Sequence, residues 1–177
     1  MSNSAAYAAE GRLLEGGTGE ENAAPDIDSG YLETLALIER LHRLLLDVIK
    51  DEFERLGRVE INAVQALLLF NIGNKVMTAG ELKSRGYYQG SNVSYNLKKL
   101  VEGGYIDHQR CDVDRRSVRV RLTEKGMEVH RVVAELFKRH ASDLGAHGRL
   151  RSEGMQAMNT DLRSVERYWT EEIKYIY

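Results

Sequence analysis

The stretch Ser91-Asn92-Val93-Ser94-Tyr95-Asn96-Leu97-Lys98-Lys99-Leu100, closed by Gly103-Gly104, decides the fold. On a helix, Val93, Leu97 and Leu100 fall within about 60° of one another, so that side must pack on other elements. The opposite side presents Ser91, Asn92, Tyr95, Lys98 and Lys99, with Ser94 at the edge. Ser91 is the expected N-cap, and the glycine pair ends the helix.

Upstream, Thr78-Ala79-Gly80-Glu81 has capping-box spacing. The threonine hydroxyl can accept from the Glu81 backbone N–H while the carboxylate reaches back to the Thr78 N–H. A short helix is therefore predicted over 79–85, and Gly86-Tyr87-Tyr88-Gln89-Gly90 is a turn. Two helices joined by a short glycine-containing turn form a helix-turn-helix. Val76-Met77 reads as a small strand, and Ile61–Ile72 as a buried helix closed by Gly73. From Tyr31 to Leu56 the period is again helical, through Leu35, Ile38, Leu41, Leu45 and Val48, with Glu52 the one polar break. Leu37, Leu44 and Ile49 widen that apolar surface beyond one stripe, so the helix needs more than one neighbour.

Downstream, the period changes to two. Tyr105–Gln109 is a strand, residues 110–116 are a charged loop, and Val118, Val120 and Leu122 alternate with Ser117, Arg119 and Arg121 in a second strand. The pair makes a β-hairpin wing. Thr123 caps a helix whose face is Val129, Val132, Val133, Leu136 and Phe137. Gly145, Gly148 and Gly154 mark a break, and Met158, Leu162, Val165, Trp169, Ile173 and Ile176 carry the last helix.

The fold class that follows is mainly α with a small β-hairpin wing: a winged helix-turn-helix lobe plus N- and C-terminal dimerisation helices. The expected division is an acidic disordered leader (1–29), an N-terminal dimerisation helix (30–57), the winged lobe (58–126) and C-terminal dimerisation helices (127–177). The leader either shields the basic surface or is an inert solubilising tail.

The formal net charge of −2 over 177 residues hides an asymmetry. Residues 1–30 carry six acids and one base, whereas residues 78–126 carry ten Lys or Arg against six Asp or Glu. A basic block of this kind is an electrostatic footprint for a polyanion. With no run of 18 apolar residues a membrane partner is not expected. The opening residues lack the layout of a secretory signal. The single cysteine, Cys111, allows no internal disulfide and suits the cytoplasm.

The polar face of the Ser91 helix has the chemistry to read DNA. Asparagine pairs with adenine edges, Tyr and Ser reach bases or phosphates, and Lys98 and Lys99 suit phosphates. Taken alone, it could equally be a solvated helix face. The wing adds Arg110, Arg115, Arg116, Arg119 and Arg121 within twelve residues, suited to a narrow minor groove. Asp112 and Asp114 lie among them, where a carboxylate can fix a guanidinium's orientation. The other reading of this segment is a solvent-exposed charged hairpin.

The run from Thr78 to Arg85, the Ser91–Leu100 helix and Gly104-Tyr105-Ile106 together resemble the helix-turn-helix of MarR-family regulators. Asp114-Arg115-Arg116, followed by Leu122-Thr123-Glu124-Lys125-Gly126, is similar to that family's wing signature, D-x-R and then L-T-x-x-G. The resemblance covers roughly residues 31–176. It implies an obligate homodimer on double-stranded DNA with a pseudo-palindromic operator, Arg116 as the minor-groove arginine and Asp114 as its orienting partner. It also implies a small aromatic or anionic effector bound between the dimer helices and the lobe. The run from Gly86 to Leu100 resembles an alphaproteobacterial, LdtR-like subgroup, which implies control of cell-envelope genes. Tyr95, where many members have arginine, and the Tyr87-Tyr88 turn depart from the common pattern, so the operator is expected to be this protein's own.

For the dimer, Tyr168, Trp169, Ile173 and Ile176 are expected to pack on the first helix, with both helices crossing to the other subunit; the other reading of part of that surface is ordinary monomer core. For the effector, the candidate lining is Leu41, Leu45, Val64 and Leu68, residues equally suited to plain core. No cofactor, metal or catalytic set is expected. His108-x-x-Cys111 lacks a second ligand pair, Cys111 beside arginines lacks a resolving partner, and His130, His140 and His147 read as surface residues. The function expected is therefore a DNA-binding regulator, not an enzyme. The competing function is a winged-helix module that binds protein without specific DNA binding.

Overall fold

The computed structural model describes residues 27–78, 81–82, 90–110 and 118–176. It contains α1 (Ile27–Arg55), α2 (Ala63–Ile72), β1 (Met77–Thr78), α3 (Gly90–Glu102), β2 (Ile106–Arg110), β3 (Val118–Leu122), α4 (Glu124–Ala146) and α5 (Ser152–Ile176). The described residues fall in two compact units, one up to Arg40 and one from Leu41 onward. In the first, the helix leaves Ile27, Leu32, Leu37 and Ile38 exposed.

In the second unit, α1 buries Ile49 and Phe53. It ends where the chain must turn back through Gly57, at φ +68°. The Arg58 N–H donates to the Phe53 carbonyl and the Gly57 N–H to the Glu54 carbonyl, a Schellman closure that only glycine adopts without strain. α2 is apolar on all sides and buries Ala66, Leu67, Leu68, Leu69 and Ile72, which makes it the centre of the core. Its start is fixed by reciprocal bonds: the Gln65 N–H donates to Asn62 Oδ1 at 2.9 Å, and the Asn62 N–H donates to Gln65 Oε1 at 3.2 Å. The predicted helix from Ile61 thus begins two residues later, because Asn62 is its cap.

The sheet is antiparallel in the order β1-β3-β2. β3 pairs Arg121 with Asp107 and Val120 with His108 on one side, and Val120 with Met77 and Arg119 with Thr78 on the other. Thr123 caps α4 through its hydroxyl, which accepts from the Gly126 N–H at 3.2 Å and donates to the Gly104 carbonyl at 2.7 Å. Gly126 packs directly on the Tyr105 backbone: a Cβ there would run into the Tyr105 carbonyl oxygen. That oxygen already accepts from the Thr123 N–H at 3.1 Å. The glycine of the L-T-x-x-G run is therefore a close-approach residue joining α4 to the start of β2.

Several expectations need correction. Ile27, Asp28 and Ser29, assigned to the leader, are helical, because α1 begins at Ile27. The small strand is Met77–Thr78, and β2 is Ile106–Arg110. α3 begins at Gly90, so Ser91 sits inside its first turn and not at the cap. Gly145 and Gly154 lie within α4 and α5, and Gly148 alone falls between the two helices. His130 is only partly exposed: it stacks on Phe70 at 5.3 Å between ring centroids, and its Nδ1 is buried. The cause is the packing of α4 on α2, in which Phe137 also meets Phe70 edge-on at 5.0 Å. Within this chain Met158, Tyr168 and Ile173 on α5 are exposed, and Trp169 keeps 39% of its surface accessible. Of the predicted turn over 86–90 only Gly90 is described, and it is helical; of the charged loop over 110–116 only Arg110 is described, and it belongs to β2. The rest of both, with most of the helix over 79–85, lies outside the described residues.

Candidate nucleic-acid interface

α3 is positioned by its apolar side. Leu97 and Leu100 are buried in the core, and Asn96 is also buried. Its outer side carries Ser94, Tyr95, Lys98 and Lys99, all exposed, and Tyr95 keeps 62% of its surface accessible. Ser91 and Asn92 lie in the first turn of the helix; their side chains are outside the described part.

Glu102, the last residue of α3, faces both lysines. Its carboxylate lies 3.1 Å from Lys99 Nζ and 3.8 Å from Lys98 Nζ. The hydrogen bond from Lys99 to Glu102 pushes that ammonium above the ordinary lysine range. Periodicity alone does not single out Glu102, although its spacing of seven residues from Tyr95, two helical turns, puts it on the same face.

The C-terminal end of α3 is tied to the hairpin. Lys125 Nζ sits 4.1 Å from the centroid of the buried Tyr105 ring and donates to the Gly103 carbonyl at 2.9 Å. The end of α3, the residue that leads into β2 and the start of α4 thereby meet at one corner.

On the wing, Arg119 is exposed. Arg121 is committed to its cross-strand partner: its Nε and Nη2 reach one oxygen of Asp107 at 3.0 and 2.7 Å. Arg115, Arg116 and Asp114 lie outside the described residues, as does Cys111.

The four residues considered for an effector do not form one lining. Leu68 is fully buried in the core, Leu41 is 59% exposed, and Leu45 packs half-buried against the core. Only Val64 borders the cleft of about 370 Å³ between the end of α1 and the start of α2, with Leu46, Lys50, Phe53 and Arg58 among its neighbours. Among the described residues no His, Cys, Asp or Glu cluster has the arrangement of a metal site, and no helix is long and apolar enough to cross a membrane.

Residues 61–126 match the family model of a winged helix DNA-binding domain. The chain is 34% identical over 145 residues to the exopolysaccharide II synthesis transcriptional activator ExpG of Rhizobium meliloti (strain 1021), covering 82% of this chain and 74% of ExpG. The chain belongs to the winged-helix transcriptional regulators. Its fold is the MarR arrangement. A MarR protein from Peptoclostridium difficile superposes with a TM-score of 0.66 at 19% identity, covering 90% of this chain and 99% of that one. Streptococcus pneumoniae FabT, solved in complex with DNA, gives 0.61 at 19% identity over 80% and 98% of the two chains. The regulator's described α3 and hairpin fall inside the matched domain. Like ExpG, it is a regulator and not an enzyme.

Proposed function

We propose that this regulator binds a pseudo-palindromic operator in double-stranded DNA as a homodimer, with one α3 in each of two major grooves about one turn, ~34 Å, apart. The observation that carries this reading is the exposed face Ser94, Tyr95, Lys98 and Lys99 beside a hairpin that exposes Arg119. Ser91 and Asn92 extend that face toward base edges. By the family resemblance, Arg116 is the minor-groove arginine with Asp114 as its orienting partner, and Arg115 beside it would add to the charge of the wing. The lobe over 58–126 is the DNA-binding part, and 30–57 with 127–177 the dimerisation part. Leu41, Leu44, Tyr168 and Ile173 are exposed in a single chain, which is the surface a partner copy would cover.

A small aromatic or anionic effector would modulate the dimer by shifting the spacing of its two recognition helices. The cleft beside Val64 is lined by Lys50 and Arg58 together with Asp47 and Glu54, and since Lys50 pairs with Glu54 at 3.6 Å, Arg58 is the cation it would offer an anionic group. The target genes belong to cell-envelope or surface-polysaccharide functions. The ExpG name and the LdtR-like run from Gly86 to Leu100 both favour this. The work is done in the cytoplasm, where the DNA is.

Genomic footprinting with purified protein, followed by anisotropy titrations across a salt series, tests the reading. Sequence-specific protection and a steep loss of affinity with salt are expected. Salt-insensitive behaviour without protected sites would replace it with the protein-binding winged module.

A further inference from the structure

We propose that Glu102 is an intramolecular stand-in for DNA phosphate: its carboxylate holds the ammonium groups of Lys98 and Lys99 and so restrains the affinity of α3 for DNA. This rests on the reading of α3 as the DNA-facing helix. Three observations carry it.

The first is place. Glu102 and Tyr95 are two turns apart and within about 20° on the helix, and Glu102 falls between Lys98 and Lys99 around the axis. An acid therefore stands on the outer face of α3, next to the two cations suited to phosphate.

The second is contact. Both ammonium groups lie within ion-pair distance of the same carboxylate, at 3.1 and 3.8 Å. Charged-oxygen chemistry of the same kind is what a phosphate would offer them. A phosphate approaching α3 must take the ammonium groups from Glu102 and then face the released carboxylate.

The third is that helix stability does not account for the residue. Glu102 is the last residue of α3, where the negative end of the helix dipole disfavours an acid. Its pairs run lysine first and glutamate second along the chain, the weaker of the two orders. Pairs as exposed as these, with 75% and 48% of the lysine side chains accessible, add little to folding. An acid kept in this place is explained by what it does to the charge of the outer face.

The consequence is a change in counterion arithmetic. Each lysine that engages a phosphate releases cations from the duplex, but a freed carboxylate takes cations up again. Net release is smaller than the two lysines alone would give. Affinity for operator and for unrelated duplex falls together, which speeds release from both.

The test uses the full chain and two duplexes, the footprinted operator and a scrambled one, in anisotropy titrations from about 50 to 200 mM salt. Glu102→Gln should tighten binding to both by about threefold to tenfold at the low-salt end, the range two exposed ion pairs span. It should steepen the salt slope by up to about one. In a Lys98→Ala, Lys99→Ala background the same substitution should change affinity less than about twofold, because its partners are gone. Glu102→Ala should behave as Glu102→Gln does. Equal or weaker binding by Glu102→Gln, with wild type binding normally, would overturn the proposal and leave the DNA reading of α3 standing. An undiminished effect in the double-lysine background would also overturn it, as a general charge effect. Wild type that binds neither duplex at any salt would remove the DNA reading and this proposal together.

Discussion

The carboxylate of Glu52 on α1 accepts a hydrogen bond from the Arg139 guanidinium on α4 at 2.6 Å. Arg55 reaches the same carboxylate with two bonds of 2.9 Å from its own helix. Glu52 is buried, with 9% of its side chain accessible, while the two arginines stay half-exposed. One acid thus joins two helices that are distant in sequence, and the apparent polar break in the apolar face of α1 is a structural anchor.

The anchor predicts an acid-limb effect. The Arg55 hydrogen bonds, then Arg139, hold the Glu52 carboxyl down to about 2 against the opposing effect of burial. A lowered folded-state value means the stabilisation is present above the ordinary value of 4.5 and is lost as pH falls toward 2. Discounted for the exposed guanidiniums, about 2 kcal/mol should disappear across that window. Urea titrations of wild type and Glu52→Gln should differ by about that amount at neutral pH and converge near the acid end. Parallel curves at all pH values would remove Glu52 as the anchor.

Gly126 and Gly145 lie on the same helix and should respond oppositely to alanine. Gly126→Ala forces a Cβ into the Tyr105 carbonyl and should cost about 2 kcal/mol or more, as overpacking does. Gly145 has nothing within 4 Å of the position a Cβ would take. Its replacement should add up to about 0.5 kcal/mol through helix propensity. Thermal melts of the two single variants decide the matter.

Leu68→Ala should destabilise the fold by about 2–5 kcal/mol, since Leu68 is wholly buried at the centre of the core. Leu41→Ala should leave the unfolding free energy of an isolated chain within about 0.5 kcal/mol. Sedimentation of Leu41→Ala against wild type at falling concentration then reads its part in the proposed dimer separately. Unchanged stability in Leu68→Ala would contradict its placement in the core.

The wing arginines Arg119 and Arg121 should not be equivalent. Arg119→Ala should weaken binding to every duplex and lower the salt slope by about one. Arg121→Ala should do less, because that guanidinium is already engaged by Asp107 at 2.7 Å. Equal slopes for the two variants would mean that the cross-strand pair opens on DNA.

Much of the lobe was legible because its signals are local. The spacing of Leu97 and Leu100 places the buried side of α3, and Thr78 and Glu81 make the bonds their spacing predicts: the Thr78 N–H donates to Glu81 Oε2 at 2.6 Å, and the Glu81 N–H to Thr78 Oγ1 at 3.1 Å. Thr123 caps α4 for the same reason. What escaped was set by tertiary packing. His130 looks polar in its own helix, yet meets Phe70 only because α4 lies on α2. Glu52 finds Arg139 only once α1 and α4 are folded. The set Leu41, Leu45, Val64 and Leu68 shares an apolar character but not a common wall, because α2 is apolar all round and its register does not reveal which side faces a cleft.

Thr78 serves two elements at once. It pairs with Arg119 in the sheet and supplies both partners of the bond pair to Glu81. Displacing the hairpin therefore pulls on Glu81 as well, through the two bonds it shares with Thr78. In the proposed DNA-bound dimer, a substitution that shifts the wing would move Thr78 and Glu81 with it, so changes of target preference are expected as exchanged side chains on a fixed frame, and adjustments of reach between the two halves of that proposed dimer in segments outside the lobe, such as residues 147–151 between α4 and α5.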